Sequence, residues 1–363
     1  MKRCDILIIG GGLTGLMIKY LLRKTSLKSI LVEGRERLGG RIYTTLSDAK
    51  NPPIEMGATW WGPKHTQLKA LLETLDIPVF PQRLGQKAIY EPISTSPFQL
   101  VTLPEEDQPS FRIRGGTSTL IRALASTLPE SEIHLGTRAA GISETEDGLR
   151  VGCPTGDYHA RLIVSTLPPY LLKSTVNITP PLPPNLSELM EQTHTWMGES
   201  IKFGLVYDRP FWREAHTSGT VFSNVGPVTE LYDHSNFEDN HYALKGFMSS
   251  SFHSLSETER RTRILRQLRA YYGDIVDSYR TYREKVWAGD PFTYTPYNKP
   301  VFPHQNNGNT QYQKAWLNGK LLIAGSETAR QYPGYMEGAV QSAQWVAEFI
   351  NNLDFHPNYL EKD

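Results

Sequence analysis

The chain has 363 residues, 38 basic and 38 acidic side chains, and a mean hydropathy of −0.41. A net charge of zero excludes bulk attraction to nucleic acid or an anionic membrane, and no apolar run is long enough for a bilayer-spanning helix. Two cysteines, Cys4 and Cys153, exclude a disulfide framework and a thiolate metal centre, so no metal is expected and a cytoplasmic setting is.

The first strand is expected from about Cys4, with no leader peptide before it. Ile6 to Ile9 is an apolar run that ends on glycines. Gly10, Gly12 and Gly15 fit G-x-G-x-x-G, with Leu13 and Thr14 inside it, and Leu16 to Leu22 reads as a helix. Ser29 to Val32 reads as a second strand, ending at Glu33, eighteen residues after Gly15. That order predicts a dinucleotide site: a tight turn at Gly10, backbone amides open to a pyrophosphate at Gly12, close helix packing at Gly15, and a ribose carboxylate at Glu33. By itself the fingerprint does not separate NAD from FAD.

Gly34 and Arg35 follow, then Gly39-Gly40-Arg41, a second turn that can bring a guanidinium to the pyrophosphate. With the first fingerprint, the pattern E-x-x-x-R-x-G-G-R resembles the flavin-containing amine oxidase family. The resemblance implies FAD and assigns further residues. Glu55, Gly57, Ala58 and Thr59 match a run that lies against the flavin ring. Trp60 matches an aromatic position near the substrate; core packing is the other reading of both tryptophans and weighs more for Trp61 than for Trp60. The next helix shows a buried stripe, Leu68, Leu71, Leu72 and Leu75.

Residues 81–110 are short, rich in Pro and Ser, and carry the acidic tip Glu105-Glu106-Asp107. In the family this region is long and largely helical, so here the substrate pocket is expected to be reshaped. A helix through Leu120, Leu124 and Leu128 follows, and Ala139 matches the position that meets the adenine. Leu149–Cys153 and Ala160–Thr166 read as strands.

Ile201, Phe203, Leu205 and Tyr207 alternate with Lys202, Gly204 and Val206, a two-faced strand. A solvent-facing lysine on an edge strand is one reading of Lys202. The resemblance implies another, a lysine that holds a water on flavin N5. Ser256-Glu257-Thr258-Glu259 is a capping box, and the arginines of the helix after it, Arg260 among them, read as a solvated face. Tyr297 matches one wall of an aromatic cage before the flavin, with Tyr294 as the competing register. Pro296 stands where covalent members carry a cysteine, which implies non-covalent FAD.

The closing stretch predicts a buried strand, Leu321–Ala324, then Gly325-Ser326-Glu327 and a helix from Tyr335–Met336. Its N-terminal dipole is placed to stabilise the reduced ring, with Gly334, Met336 and Ala339 in contact, Gly338 and Ala339 letting the helix approach closely, and Tyr335 as the other wall.

The expected fold is α/β: an FAD-binding Rossmann-like domain (1–80, 111–190 and 291–363) interleaved with a smaller α+β substrate domain (81–110 and 191–290). The expected function is FAD-dependent oxidation of a small-molecule amine by hydride transfer to flavin N5. O2 then reoxidises the flavin, giving H2O2 and an imine. A desaturase or porphyrinogen-type oxidase, or a non-catalytic flavin-binding partner protein, shares the fold. An L-amino-acid oxidase is disfavoured because no arginine follows Gly57–Ala58. No general base is evident, no membrane or nucleic-acid partner is expected, and homo-oligomerisation is left open.

Overall fold

The computed structural model describes residues 1–45, 51–104, 108–214 and 217–353, so the Glu105-Glu106-Asp107 tip lies outside the described residues. The opening unit is β1 (Lys2–Ile9), α1 (Leu13–Leu22) and β2 (Ser29–Val32), followed by α2 (Thr66–Thr74). Next come β3 (Val79–Pro81), β4 (Lys87–Glu91), β5 (Gln99–Thr102), β6 (Phe111–Ile113) and α3 (Ser118–Ala125). Then follow β7 (Ile133–His134), β8 (Gly141–Thr145), β9 (Gly148–Gly152), β10 (Tyr158–Ser165), α4 (Pro169–Thr175), β11 (Asn177–Thr179) and α5 (Pro184–Glu191). A second β-rich run holds β12 (Ile201–Tyr207), α6 (Phe211–Glu214), β13 (Val221–Ser223), β14 (Val228–Asp233), β15 (Tyr242–Met248), α7 (Glu257–Tyr272) and β16 (Thr281–Val286). β17 (Ala315–Trp316), β18 (Leu321–Ile323) and α8 (Met336–Asn351) close the chain.

Among the described residues, nine strands form one sheet around β1, which pairs in parallel with β2 on one side and β10 on the other. β7 extends it beyond β2, and β18 continues the parallel set beside β10. β1 reads as a continuous apolar run because both of its faces are covered. Ile6 and Ile8 pack with Leu16 and Ile18 of α1 and Val340 and Ala343 of α8, whereas Leu7 and Ile9 pack with Leu172 of α4 and Leu186 of α5. The glycine turns therefore emerge at the C-terminal edge of a helix-covered parallel sheet, where such folds bind ligands.

Seven strands of the described residues form the second sheet, in the order β16-β12-β15-β14-β13-β4-β5. The 81–110 region supplies its β4–β5 hairpin, with β4 parallel to β13. β12 lies between β15 and β16, and all seven of its residues are buried. Ile201, Phe203 and Leu205 pack toward Ile264, Leu265 and Leu268 of α7. Val206, on the other face, packs against Ile54 and Met56, and Ile54 lies where a Cβ on Gly204 would fall. That second face presses on the chain leading to Gly57, so the edge-strand reading of Lys202 fails: the strand is internal and the lysine is 5% exposed.

The capping box at Ser256 forms as its spacing requires. The arginine-rich face of α7 is not wholly solvated. Arg260 is buried because Glu284 on β16 and the Leu255 carbonyl take its guanidinium.

Candidate active site

A cavity of about 300 Å³ lies between the edge of the parallel sheet and the Lys202 face of the second sheet. From the opening unit it is lined by Gly10, Gly12, Leu13, Thr14, Glu33 and Arg35, and from the second turn by Gly39, Gly40 and Arg41. Gly57, Ala58, Thr59, Trp60 and Lys202 line another side, and Ser326, Gly334, Tyr335, Met336 and Ala339 close it.

The glycines have distinct reasons. Gly10 adopts φ +110°, a turn that side chains resist, and a Cβ on Gly15 would fall 2.0 Å from the Gly10 carbonyl oxygen. Gly12 and Gly40 face each other across a bare floor, since the Gly40 Cα is the single atom within reach of a Cβ placed on Gly12. Gly338 differs from expectation. A Cβ there would meet the Tyr332 carbonyl at 2.3 Å, so this glycine admits its own preceding loop, while Ala339 is the residue that faces the cavity.

Glu33 is 4% exposed, accepting from the Gly11 amide at 2.7 Å and the Arg35 amide at 2.9 Å. Arg35 reaches Asp290 (2.7 Å) and Thr293 (2.6 Å), leaving its buried Nε without a partner. Ala139 and Gly34 line a smaller adjoining pocket with Glu33 and Phe292. Arg41 lines the cavity, but its guanidinium is committed to Glu327 (2.5 and 2.8 Å), Ser326 Oγ (2.9 Å) and the Trp196 carbonyl (2.8 Å). Glu327 also accepts from the Trp196 amide at 3.1 Å. Gly15, Gly325 and Glu327 thus stand one layer behind the cavity wall.

The Tyr297 expectation is corrected. Its ring stacks on Tyr170 at 4.4 Å, and its hydroxyl is held by the Thr195 amide (2.7 Å), the Thr193 carbonyl (3.0 Å) and Thr195 Oγ (3.2 Å). Tied to the 193–195 segment, it is not a lining residue. Tyr294 is tied as well, its hydroxyl donating to Glu199 at 2.6 Å. The ring that faces Tyr335 is Trp196, 5.7 Å away between centroids and backed by His304 at 3.9 Å. Sequence reasoning missed Trp196 because it sits in the irregular approach to β12, outside any periodic pattern. It also missed Phe247, which β15 places opposite Lys202.

Lys202 donates to the Gly57 carbonyl at 2.6 Å and lies 4.9 Å from the Phe247 ring. Burial pushes its ammonium down to about 8, against the opposing pull of Glu55 and Glu230. Glu55 is held by Thr44 at 2.9 Å and by the Thr117 amide, and burial pushes its carboxyl up. Trp60 stacks edge-on against Tyr232 at 4.9 Å, and its indole donates to Gln82 at 2.9 Å. Trp61 is buried against Phe111.

These residues fit a flavin dinucleotide. Two helix N-termini, those of α1 and α8, open on the same cavity, and neither carries a side-chain cap. Uncapped amides there suit a diphosphate at one end and an electron-rich ring edge at the other. The bare Gly12–Gly40 floor lines the same cavity, as does Arg35, whose buried Nε has no partner among the described residues.

Residues 93–351 match the family described as flavin containing amine oxidoreductase, and residues 8–75 match an NAD(P)-binding Rossmann-like domain. The chain is 24% identical to "Probable flavin-containing monoamine oxidase A" of Dictyostelium discoideum, across 96% of this chain and 97% of that protein. That alignment runs over 453 positions against 363 residues here, so the relative carries residues this chain lacks. Human amine oxidase [flavin-containing] B is 22% identical over 96% of this chain and 86% of its own length. The fold superposes on wild-type putrescine oxidase bound to putrescine with a TM-score of 0.83 at 21% identity, covering 97% and 99% of the two chains. With more than half of its length matching the family, this chain belongs to the flavin-containing amine oxidoreductases, FAD-dependent enzymes that oxidise amines.

Proposed function

We propose that the chain oxidises a primary amine that carries a second cationic group, using O2 as electron acceptor and releasing H2O2. The observation that carries this reading is the gathering of Lys202, Trp60, Trp196 and Tyr335 at one end of a cavity whose other end is built for a dinucleotide. FAD, when bound, would supply the two-electron acceptor for an amine α-carbon. The amides at the starts of α1 and α8 would hold its phosphates and ring edge, Glu33 its ribose, and Ala139 its adenine. Trp196 and Tyr335, whose ring centroids lie 5.7 Å apart, together form one wall beside the amine, strip its water and align it, and their π systems favour a developing positive charge. Lys202 holds a water at the ring and stabilises negative charge while O2 accepts electrons. The nine-stranded sheet then belongs to the cofactor domain and the seven-stranded sheet to the substrate domain.

Glu230 supports the second cation. On β14 it stands opposite Phe247, a lining residue, and its carboxylate accepts from Tyr232, whose ring contacts Trp60. It is thus the carboxylate one side chain beyond the wall. The putrescine oxidase with the same fold binds a diamine.

Anaerobic mixing with 1,4-diaminobutane, butylamine, a polyene and a porphyrinogen tests this. The diamine should bleach the flavin fastest, and Glu230→Gln should cost it about 10- to 100-fold in kred/Kd, one charged hydrogen bond, while sparing butylamine. Bleaching by the polyene or porphyrinogen alone would overturn amine oxidation, and equal losses for both amines would overturn the role of Glu230.

A further inference from the structure

A second lysine is buried beside the first. Lys245 on β15 pairs in register with Gly204 as Phe247 pairs with Lys202, so the two lysines share the cavity-facing side of the sheet. Lys245 is fully buried, and among the described residues its ammonium forms no ion pair. It instead donates to Oγ of Thr59, a residue that lines the cavity, and that hydroxyl donates in turn to the Gly57 carbonyl at 3.2 Å. Trp60 and Phe247 offer their rings at 4.4 and 5.4 Å.

A buried, unpaired ammonium is costly, so the neutral amine is the stable resting form. Burial lowers its proton affinity first, and the charges of Lys202 on β12 and Arg112 on β6 lower it further. Glu55 and Glu230 act in the opposite sense, His234 is pushed down by burial first and then by the Arg112 and Lys245 charges, and Tyr232 stands opposite Lys245 on β14. The two aromatic faces are placed to accommodate a positive charge once it arrives.

The reaction needs such an acceptor. An amine enters water-borne as an ammonium, and its α-carbon gives up hydride readily only when the nitrogen lone pair is free. We propose that Lys245, a positioning residue acting through Thr59, receives the proton of the bound substrate ammonium. The Thr59 hydroxyl turns from the Gly57 carbonyl to the lone pair of Lys245 Nζ; the substrate N–H bond then breaks, its proton passes to Thr59 Oγ, and the Thr59 hydroxyl proton passes to Nζ of Lys245. Substrate becomes a neutral amine, Lys245 becomes an ammonium, and no electron moves. This rests on the amine-oxidation reading above.

The test uses the FAD-loaded enzyme and two probes. With a reducing amine, wild-type kred/Kd should change little between pH 7 and 9. Lys245→Met should instead fall at pH 7 and recover about tenfold per pH unit, because only free amine then reacts and alkylammonium pKa values lie near about 10.4. A merely structural role would lower the rate equally at every pH. With 2-methylpropan-2-amine, which has no α-hydrogen, calorimetric titration at pH 8 in two buffers of different ionisation enthalpy counts protons. Wild type should release none to the buffer, and the variant one per site. Thr59→Val should reproduce both results even if Lys245→Met does not fold. One proton released by wild type, or equally flat profiles in wild type and variants, overturns the relay alone. A wild-type flavin that no amine reduces at any pH overturns the relay together with the reading beneath it.

Discussion

Replacing Glu327 by Gln removes one charge from the pair that ties the second glycine turn to the closing strand–helix junction. Glu327 is 1% exposed, and its side chain takes two guanidinium bonds from Arg41 and the amide of Trp196. Breaking one side of a buried pair typically costs 3–5 kcal/mol because the other charge is left unpaired. Arg41 is 24% exposed toward the cavity, which relieves part of that penalty, so about 3 kcal/mol is expected. At roughly 2.1 cal/mol/K of unfolding entropy per residue, 363 residues convert this into a Tm loss of about 4 °C. Scanning calorimetry of the FAD-loaded protein measures it. Burial alone would raise the Glu327 carboxyl, but the Arg41 charge and hydrogen bonds outweigh it and hold the group below the usual carboxylate range. The stabilisation is therefore present above the ordinary carboxylate pKa and lost as pH falls through the depressed value, so the variant should also show a flatter acid limb. An unchanged Tm with an unchanged acid limb would refute the reasoning. So would an Arg41→Met/Glu327→Gln double variant no more stable than the sum of the single losses, since removing both charges should recover part of the cost.

Other consequences are sharper in kinetics. Lys202→Met should slow reoxidation by O2 by roughly 10²-fold and reduction far less, read by double-mixing stopped flow; equal effects on both would contradict the water-holding role. Because burial brings the Lys202 ammonium down to about 8, wild-type reoxidation should decline as pH rises through that value while the variant stays flat. With Cys4 and Cys153 the only cysteines in the sequence and neither of them lining the cavity, acid precipitation should free the flavin, and yellow colour retained in a washed pellet would show a covalent bond.

Much of this enzyme is legible in local sequence because local rules build it. Gly10 needs a positive φ and Gly15 a backbone contact within five residues, so their spacing alone announces a β–α turn. The start of α8 at Tyr335–Met336 shows in the helical periodicity of Ala339, Val340, Ala343, Val346 and Ala347, again a short-range effect. Lys202 stood out as a charge inside an apolar alternation, but whether its strand was edge or interior depended on β15 and β16, over thirty residues downstream.

The aromatic wall was decided wholly by tertiary contacts. Tyr297 and Trp196 both lie in irregular chain, and nothing local ranks one above the other. Hydrogen bonds to the 193–195 segment pull Tyr297 behind the wall, and the Arg41–Glu327 pair, formed across 286 residues, presents Trp196 to Tyr335 instead. Lys245 is the same case. As one lysine in a strand it is unremarked in sequence, and only sheet register sets it behind Thr59 and beside Lys202. The sequence by itself determined a dinucleotide site, because a dinucleotide is held by glycine turns and helix starts that short spacing encodes. The tertiary structure decided what surrounds the reacting carbon, because those side chains meet only when two sheets close on one another.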